Sequence, residues 1–155
     1  MPKEIERKFL VATDAWKQAA DRGTPIRQGY LSDEPGVTVR ARVAGDKGYI
    51  TIKGPITGIS RDEFEYEIPA ADAEQLVKMS GTRVVEKTRY RVEHAGHTWE
   101  VDVFGGANAG LVLAEIELSA ASDTFDRPSW LGQDVSHDIR YFSGSLARNP
   151  WSRWR

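Results

Sequence analysis

The sequence predicts an α+β domain of many antiparallel strands with a few peripheral helices, the sheet being able to close into a barrel. Three observations predict it. Apolar and polar residues alternate with a period of two along much of the chain, helical spacing is confined to short stretches, and turns containing glycine separate successive alternating runs. The 155 residues contain no linker, repeat or low-complexity segment, so the chain reads as one domain over residues 1–155.

The elements follow in order. Glu4 to Ala12 alternates and then closes on Phe9-Leu10-Val11, and a helix is expected near Asp14 to Ala20. Gln28 to Ser32 is a short strand. Val37 to Val43 sets Val37, Val39, Ala41 and Val43 against Thr38, Arg40 and Arg42, turns at Gly45-Asp46-Lys47-Gly48, and returns as Tyr49 to Lys53. Glu63 to Ile68 is a strand with Phe64, Tyr66 and Ile68 on its apolar side. After Pro69, Ala71 to Met79 shows helical spacing at Leu76 and Met79. Arg83 to Glu93 and Thr98 to Phe104 form a second hairpin through Ala95-Gly96. Gly105 to Gly110 is a loop, and Leu111 to Ser119 a strand. A last helix runs from Arg140 to Arg148, stopped by Asn149-Pro150.

Composition removes several classes of function. Lys and Arg number 21 against 23 Asp and Glu, a net charge of -2, without the basic excess of a general nucleic-acid binder. There is no Cys, hence no disulfide, iron–sulfur cluster or thiolate zinc site. No apolar run approaches a membrane span, and Met1-Pro2-Lys3-Glu4 lacks an apolar signal region, so a cytoplasmic protein without membrane partners is expected, monomer or homodimer. The loop Gly54 to Gly58 is not a P-loop, His94, His97 and His137 form no ligand cluster, and no Ser, Cys or Thr nucleophile constellation is present. Trp16, Trp99, Trp130, Trp151 and Trp154 are expected to serve the core or brace helices. The tail Trp151 to Arg155 is left open among covering the barrel, touching a partner and fraying.

Six stretches place charged residues two apart: Glu4/Glu6/Lys8, Arg40/Arg42, Glu63/Glu65/Glu67, Lys87/Arg89/Arg91, Glu100/Asp102 and Glu115/Glu117. Residues at i and i+2 share one face of a strand, so each stretch paints one sheet face with charge. A sheet with one wet face alternates in the same way, and most charge runs are solvated. Two features favour an enclosed face instead. Several stretches carry a single sign and repel themselves, and the pattern recurs on nearly every expected strand. A bound counter-species would neutralise such stripes. Carboxylates suit Mg²⁺ or Mn²⁺, and Lys and Arg suit phosphate oxygens.

Glu4-Ile5-Glu6-Arg7-Lys8 resembles the Glu-x-Glu-x-Lys signature of the CYTH superfamily, the triphosphate tunnel metalloenzymes. Arg40-Ala41-Arg42, Lys53, Glu63-Phe64-Glu65, Lys87-Thr88-Arg89, Glu100-Val101-Asp102 and Glu115-Ile116-Glu117 resemble its later strand motifs in order. Arg27-Gln28-Gly29-Tyr30-Leu31 and Asp138-Ile139-Arg140-Tyr141 are similar to segments of its short bacterial members. Ser143 departs from the Asn or Lys common in the family's last helix.

The resemblance implies an eight-stranded antiparallel β-barrel with its charges inside. It implies Mg²⁺ or Mn²⁺ held by Glu4, Glu6, Glu115 and Glu117, with Asp102 near a second ion. Lys8, Arg40, Arg42, Lys53, Lys87, Arg89 and Arg140 would contact substrate phosphates. The candidate catalytic set is Lys8, Tyr30, Lys53, Glu63, Glu65, Lys87 and Asp102. Tyr30 reads equally as a core residue with a satisfied hydroxyl, and Arg140 as a surface charge. The activity implied is metal-dependent hydrolysis of inorganic triphosphate. Hydrolysis of thiamine or nucleoside triphosphate, a class IV adenylate cyclase, and a non-catalytic polyphosphate-binding module are the alternatives.

Overall fold

The computed structural model describes residues 3–34 and 36–154; Met1-Pro2 at the start and Arg155 of the tail lie outside the described residues. Nine strands form among them: β1 Lys3–Val11, β2 Thr24–Ser32, β3 Thr38–Ala44, β4 Lys47–Lys53, β5 Ser60–Ile68, β6 Val84–His94, β7 His97–Phe104, β8 Val112–Glu117 and β9 Leu131–Asp134. Two α-helices join them, α1 Ala70–Met79 and α2 Ser143–Arg148, with 3-10 turns at Asp14–Ala19, Gly106–Asn108, Ile139–Tyr141 and Trp151–Arg153.

Every strand pairing is antiparallel, and β1-β8-β7-β6-β2-β3-β4-β5 closes on itself through β5 and β1. The expected eight-stranded barrel is therefore present. Closure rests on a short seam in which Lys3, Glu4 and Ile5 face Asp62, Arg61 and Ser60. Beyond the seam the same edge of β1 turns to other partners. The Glu6 N–H donates to the Ile59 carbonyl, the Lys8 N–H to Ser136 Oγ, and Phe9 and Val11 pair with β9.

Two tight turns set the hairpin registers. Ala44 faces Lys47 across a two-residue turn whose first residue, Gly45, has φ 60°, and His94 faces His97 across Ala95 and Gly96 at φ 49° and 82°. Turns of this hand match the twist of the strands they join.

The apolar core lies outside the barrel wall. Outward side chains Phe9, Val92, Trp99, Val101, Ala114 and Ile116 are buried with Trp16 and Trp130 from the flanking segments. A second cluster of Val85, Phe104, Leu111, Leu113, Val135 and Leu146 seals one end beneath α2, and Tyr30 packs into it. Helix α1 lies over β2, β3 and β4, burying Ala73 and Val77. Burial of apolar area thus stabilises the wall from outside, at about 25 cal/mol per Å². The interior is left to polar side chains.

Four expectations shift. Strand β2 starts at Thr24, earlier than Gln28, because its first residues pair with Arg89, Thr88 and Lys87. The expected helix over Asp14 to Ala20 is a 3-10 turn capped by Thr13. The expected last helix is split, its first turn being 3-10 and Phe142 extended between the two parts. Strand β9 was not expected, since Leu131-Gly132-Gln133-Asp134 is short and lacks alternation. Trp151 and Trp154 cover the barrel: the Trp151 N–H donates to Asn108 Oδ1 at 2.8 Å, and Trp154 packs edge-on against Tyr141.

Candidate active site

The barrel strands enclose a tunnel of about 730 Å³. Its lining runs from Thr24, Ala44, Tyr49 and Arg91 at one end to Asp33, Val37, Ile56 and Phe142 at the other. On β1, β6, β7 and β8 the charged side faces inward because the apolar side is claimed by the outer core, and a period of two leaves no other choice. Glu4, Glu6, Lys8, Tyr30, Arg40, Arg42, Lys53, Glu63, Glu65, Lys87, Arg89, Glu115 and Glu117 all line this one space.

Register sorts the charges into sectors. On β1 and β8, Glu6 is the direct partner of Glu117, and Lys8 of Glu115. Lys8 is buried, its Nζ 3.0 Å from Glu115 and donating to the Tyr141 carbonyl. Burial works against its charge, yet Glu115 and Glu6 hold its pKa above the ordinary lysine value. Lys53 Nζ donates to both oxygens of Glu4 at 3.0 and 3.1 Å and lies 3.5 Å from Glu63.

Glu6 and Glu117 make no ion pair among the described residues. Burial and the carboxylates of Glu115 and Glu4 push Glu6 up to about 8. Glu117, at the solvent-exposed end of β8, is raised by burial and by Glu4, Glu63 and Glu100. Negative charge is therefore in excess here.

The opposite excess lies across the tunnel. Arg40 reaches Thr51 at 3.1 Å and Glu65 at 3.3 Å, but its buried Nε finds no hydrogen-bond partner among the described residues. Arg42 donates from Nε to Gln28 at 2.8 Å; burial and the neighbouring Arg40 and Arg89 lower its pKa to about 9. Gln28 spends its amide N–H on the Tyr30 hydroxyl at 2.8 Å, which leaves the Tyr30 proton available as a donor. Lys87 is 5% exposed, and burial lowers its pKa to about 8 despite Asp102 beside it.

Two candidates are placed elsewhere. Asp102 is 1% exposed and is not among the tunnel-lining residues. Arg89 grips both of its oxygens at 2.8 and 2.9 Å, and Lys87 lies 2.8 Å away. Burial opposes its charge, but Arg89 and Lys87 hold its pKa far below the usual carboxylate range. It orients two cations from behind, with three contacts to its two oxygens. Arg140 sits outside the tunnel, its side chain 60% exposed, forked on Asp138 and stacked over Trp154.

Six charged lining residues were missing from the candidate set, Asp33, Glu34, Arg61, Arg91, Glu100 and Arg148, and so was Ser136. Arg61 bridges the Gly54 carbonyl at 3.0 Å and Thr38 at 3.4 Å, tying the β4–β5 loop to β3. It stands two residues before Glu63, so the stripe itself carried the signal. Arg91 and Glu100 belong to stripes already noted in the sequence. Ser136, in the segment after β9, had no sequence signal.

The acidic sector fits a hard divalent cation in donor type, with Glu6 and Glu117 lacking a cationic partner among the described residues. No three acidic or His side chains among the described residues are grouped closely enough to cage an ion alone. A divalent cation there would complete its shell with phosphate oxygens and water.

A CYTH domain model matches residues 2–149. The chain is 47% identical over 156 residues to the inorganic triphosphatase of Acetivibrio thermocellus, covering 100% of this chain and 99% of that protein. It is 38% identical to the inorganic triphosphatase of Nitrosomonas europaea, covering 93% and 96%. A crystal structure of an inorganic triphosphatase matches with a TM-score of 0.67 at 36% identity, over 95% of each chain. Motif order, barrel and full-length similarity agree: this chain belongs to the CYTH domain family.

Proposed function

We propose that this protein is a divalent-metal-dependent inorganic triphosphatase, hydrolysing tripolyphosphate to pyrophosphate and phosphate inside the tunnel. The observation that carries the reading is the division of one enclosed space into an acidic sector on β1 and β8 and a cationic sector on β3 and β6. A polyanion alone would need only the second. The two curated relatives bear that activity in their names.

Arg40, Arg42, Lys87 and Arg89 would bind the phosphate chain, the orphaned Arg40 Nε and the weakly compensated Arg42 guanidinium gaining most from an oxyanion. Lys8 and Lys53 would contact it from the acidic side while holding Glu115 and Glu4 in place. A Mg²⁺ or Mn²⁺ ion held by Glu4, Glu6, Glu115 and Glu117 would neutralise phosphate oxygens and acidify bound water. Asp102 keeps Lys87 and Arg89 extended along the wall.

Water attacks the terminal phosphorus, the bridging P–O bond breaks, and pyrophosphate leaves. Lys87, with its pKa near 8, is partly neutral at mildly alkaline pH, and that fraction, no longer a phosphate-binding cation, would take the water's proton. The Tyr30 hydroxyl donates to a phosphate oxygen, and Glu63 and Glu65 orient Lys53 and Arg40. Most of the rate enhancement then comes from positioning and charge neutralisation.

A second reading has its own observation. Val37, Pro55, Ile56, Ile139 and Phe142 form an apolar collar at one tunnel mouth, able to seat the planar group of thiamine or nucleoside triphosphate. One assay separates the readings: purified protein with tripolyphosphate, ATP or thiamine triphosphate and each metal, followed for phosphate, pyrophosphate and cyclic AMP. The proposal requires the highest kcat/KM on tripolyphosphate. Preference for an organic triphosphate favours the second reading, cyclic AMP indicates a cyclase, and binding without release indicates a polyphosphate-binding module.

A further inference from the structure

Outside the tunnel, a cleft of about 450 Å³ lies between the start of β6, the 3-10 turn at Gly106–Asn108, α2 and the C-terminal segment. Three arginines line it: Arg83 from the loop before β6, Arg148 from the last turn of α2, and Arg153 beyond Pro150. No Asp or Glu is among the described lining residues. The nearest is Asp33, whose Oδ1 is 3.6 Å from Arg83 and whose Oδ2 is 2.6 Å from Arg148. A single carboxylate thus serves two guanidinium groups. The Asp33–Arg148 contact is badly aligned, for Asp33 Oδ2 is buried without a hydrogen bond among the described residues.

The cleft also has a fixed polar floor. Asn108 is 2% exposed, lines the cleft, and accepts the Trp151 N–H on its Oδ1, so its amide is held in place with the Nδ2–H groups as its donors. Guanidinium forks above an amide donor match the oxygens of a phosphate, which accept several charge-assisted hydrogen bonds at once.

Position links this cleft to the tunnel. Arg148 lines both spaces, and Asp33 lines the tunnel on the far side of the same ion pair. Ser143, Gly144 and Ser145 of α2 face the tunnel, whereas Ala147 and Arg148 face the cleft. The two cavities share a wall one helix thick.

We propose that this arginine cleft is a second oxyanion site, binding a short phosphate chain against the outer side of α2. Its occupant has one chemistry and two possible sources: the end of a polyphosphate longer than the tunnel holds, or released pyrophosphate. Only the supply of that ligand rests on the function proposed above. The site itself is read from Arg83, Arg148, Arg153 and Asn108.

The test is calorimetric titration of the metal-free protein with pyrophosphate, which needs no turnover. The intact chain should titrate two sites. Arg83→Gln with Arg153→Gln should leave one, whereas Arg40→Gln with Arg42→Gln should abolish the tunnel site and keep the cleft. A single site in the intact chain that survives the Arg83/Arg153 substitutions, or two sites in the Arg83/Arg153 variant, overturns the proposal whatever the enzyme hydrolyses.

Kinetics then identify the source. A KM raised about tenfold for long-chain polyphosphate but unchanged for tripolyphosphate, a loss of about 1.4 kcal/mol, marks the outgoing chain. Loss of a non-competitive part of pyrophosphate inhibition, with both KM values unchanged, marks the product. If no kinetic quantity moves in the Arg83/Arg153 variant although calorimetry has lost one site, both named sources are overturned as the occupant during turnover.

Discussion

Glu6 on β1 and Glu117 on β8 are direct cross-strand partners inside the tunnel, with no basic side chain paired to either among the described residues. Like charges so placed repel, and the strain is relieved by a proton or by a cation. Glu6→Gln should therefore abolish metal-dependent turnover, by about 100-fold or more in kcat/KM at fixed metal. It should also raise the melting temperature of the metal-free protein at pH 8 while removing most of the stabilisation that Mg²⁺ or Mn²⁺ gives. An unchanged metal-induced melting shift in this variant rules out Glu6 as a ligand.

The same carboxylates set the pH dependence of metal-free stability. Glu6 is raised to about 8, so the folded chain holds a proton that the unfolded chain releases near pH 4.3. Its contribution is favourable at low pH and is lost as pH climbs from roughly 5 through 8. Asp102 and Glu115 act oppositely, because Arg89, Lys87 and Lys8 overcome burial and depress them; their contribution is present above the ordinary carboxylate range and fails as acid protonates them. Urea midpoints of the metal-free protein should peak at mildly acidic pH, and a divalent cation should move the peak upward. A flat profile from pH 5 to 8 contradicts the acidic-sector assignment.

The role proposed for Lys87 predicts a pH dependence of catalysis. Burial brings its pKa to about 8, so kcat/KM for tripolyphosphate should rise with pH through that value, reporting the free enzyme. Lys87→Arg keeps the charge but cannot accept a proton. It should lose about 100-fold in kcat and lose the inflection with it. A variant that keeps the same pH profile would show that another group takes the proton.

Asp102 separates positioning from ligation. Asp102→Asn leaves buried Lys87 without its ion-pair partner and Arg89 with only Glu115 and Glu100, which should cost about 3–5 kcal/mol of stability. As a positioning residue its loss should not be recovered by raising the metal concentration. Recovery of activity by excess Mg²⁺ or Mn²⁺ would restore Asp102 to the ligand set.

Arg140 tests the outer surface. Its fork on Asp138 is solvent-exposed, and exposed ion pairs contribute little. Arg140→Ala should keep kcat/KM for tripolyphosphate within about twofold. A tenfold rise in KM would show that this arginine reaches the substrate.

Inward and outward faces were legible because side-chain direction in a strand is local. Once Phe9, Val101 and Ile116 were committed to a core, Glu6, Asp102 and Glu117 had to point the other way. Depth and pairing were not legible. Glu100 and Asp102 share a face and a spacing, yet Glu100 lines the tunnel while Asp102 is enclosed behind Lys87 and Arg89. That difference arises from the register of β6 against β7. Arg140 followed a motif but lies on a 3-10 turn facing outward, and β9 was hidden because its pairing with β1 needs no alternating pattern of its own.

By itself the sequence determined the eight barrel strands in outline, the sign of charge on each stripe and the family resemblance, since these depend on residue type and a two-residue period. Only the tertiary structure decided which charges meet. It set Glu6 against Glu117, locked Asp102 into the wall, and placed Arg83, Arg148 and Arg153 around one cleft. Those contacts join residues tens of positions apart, and their geometry depends on barrel closure and register, which no local pattern encodes.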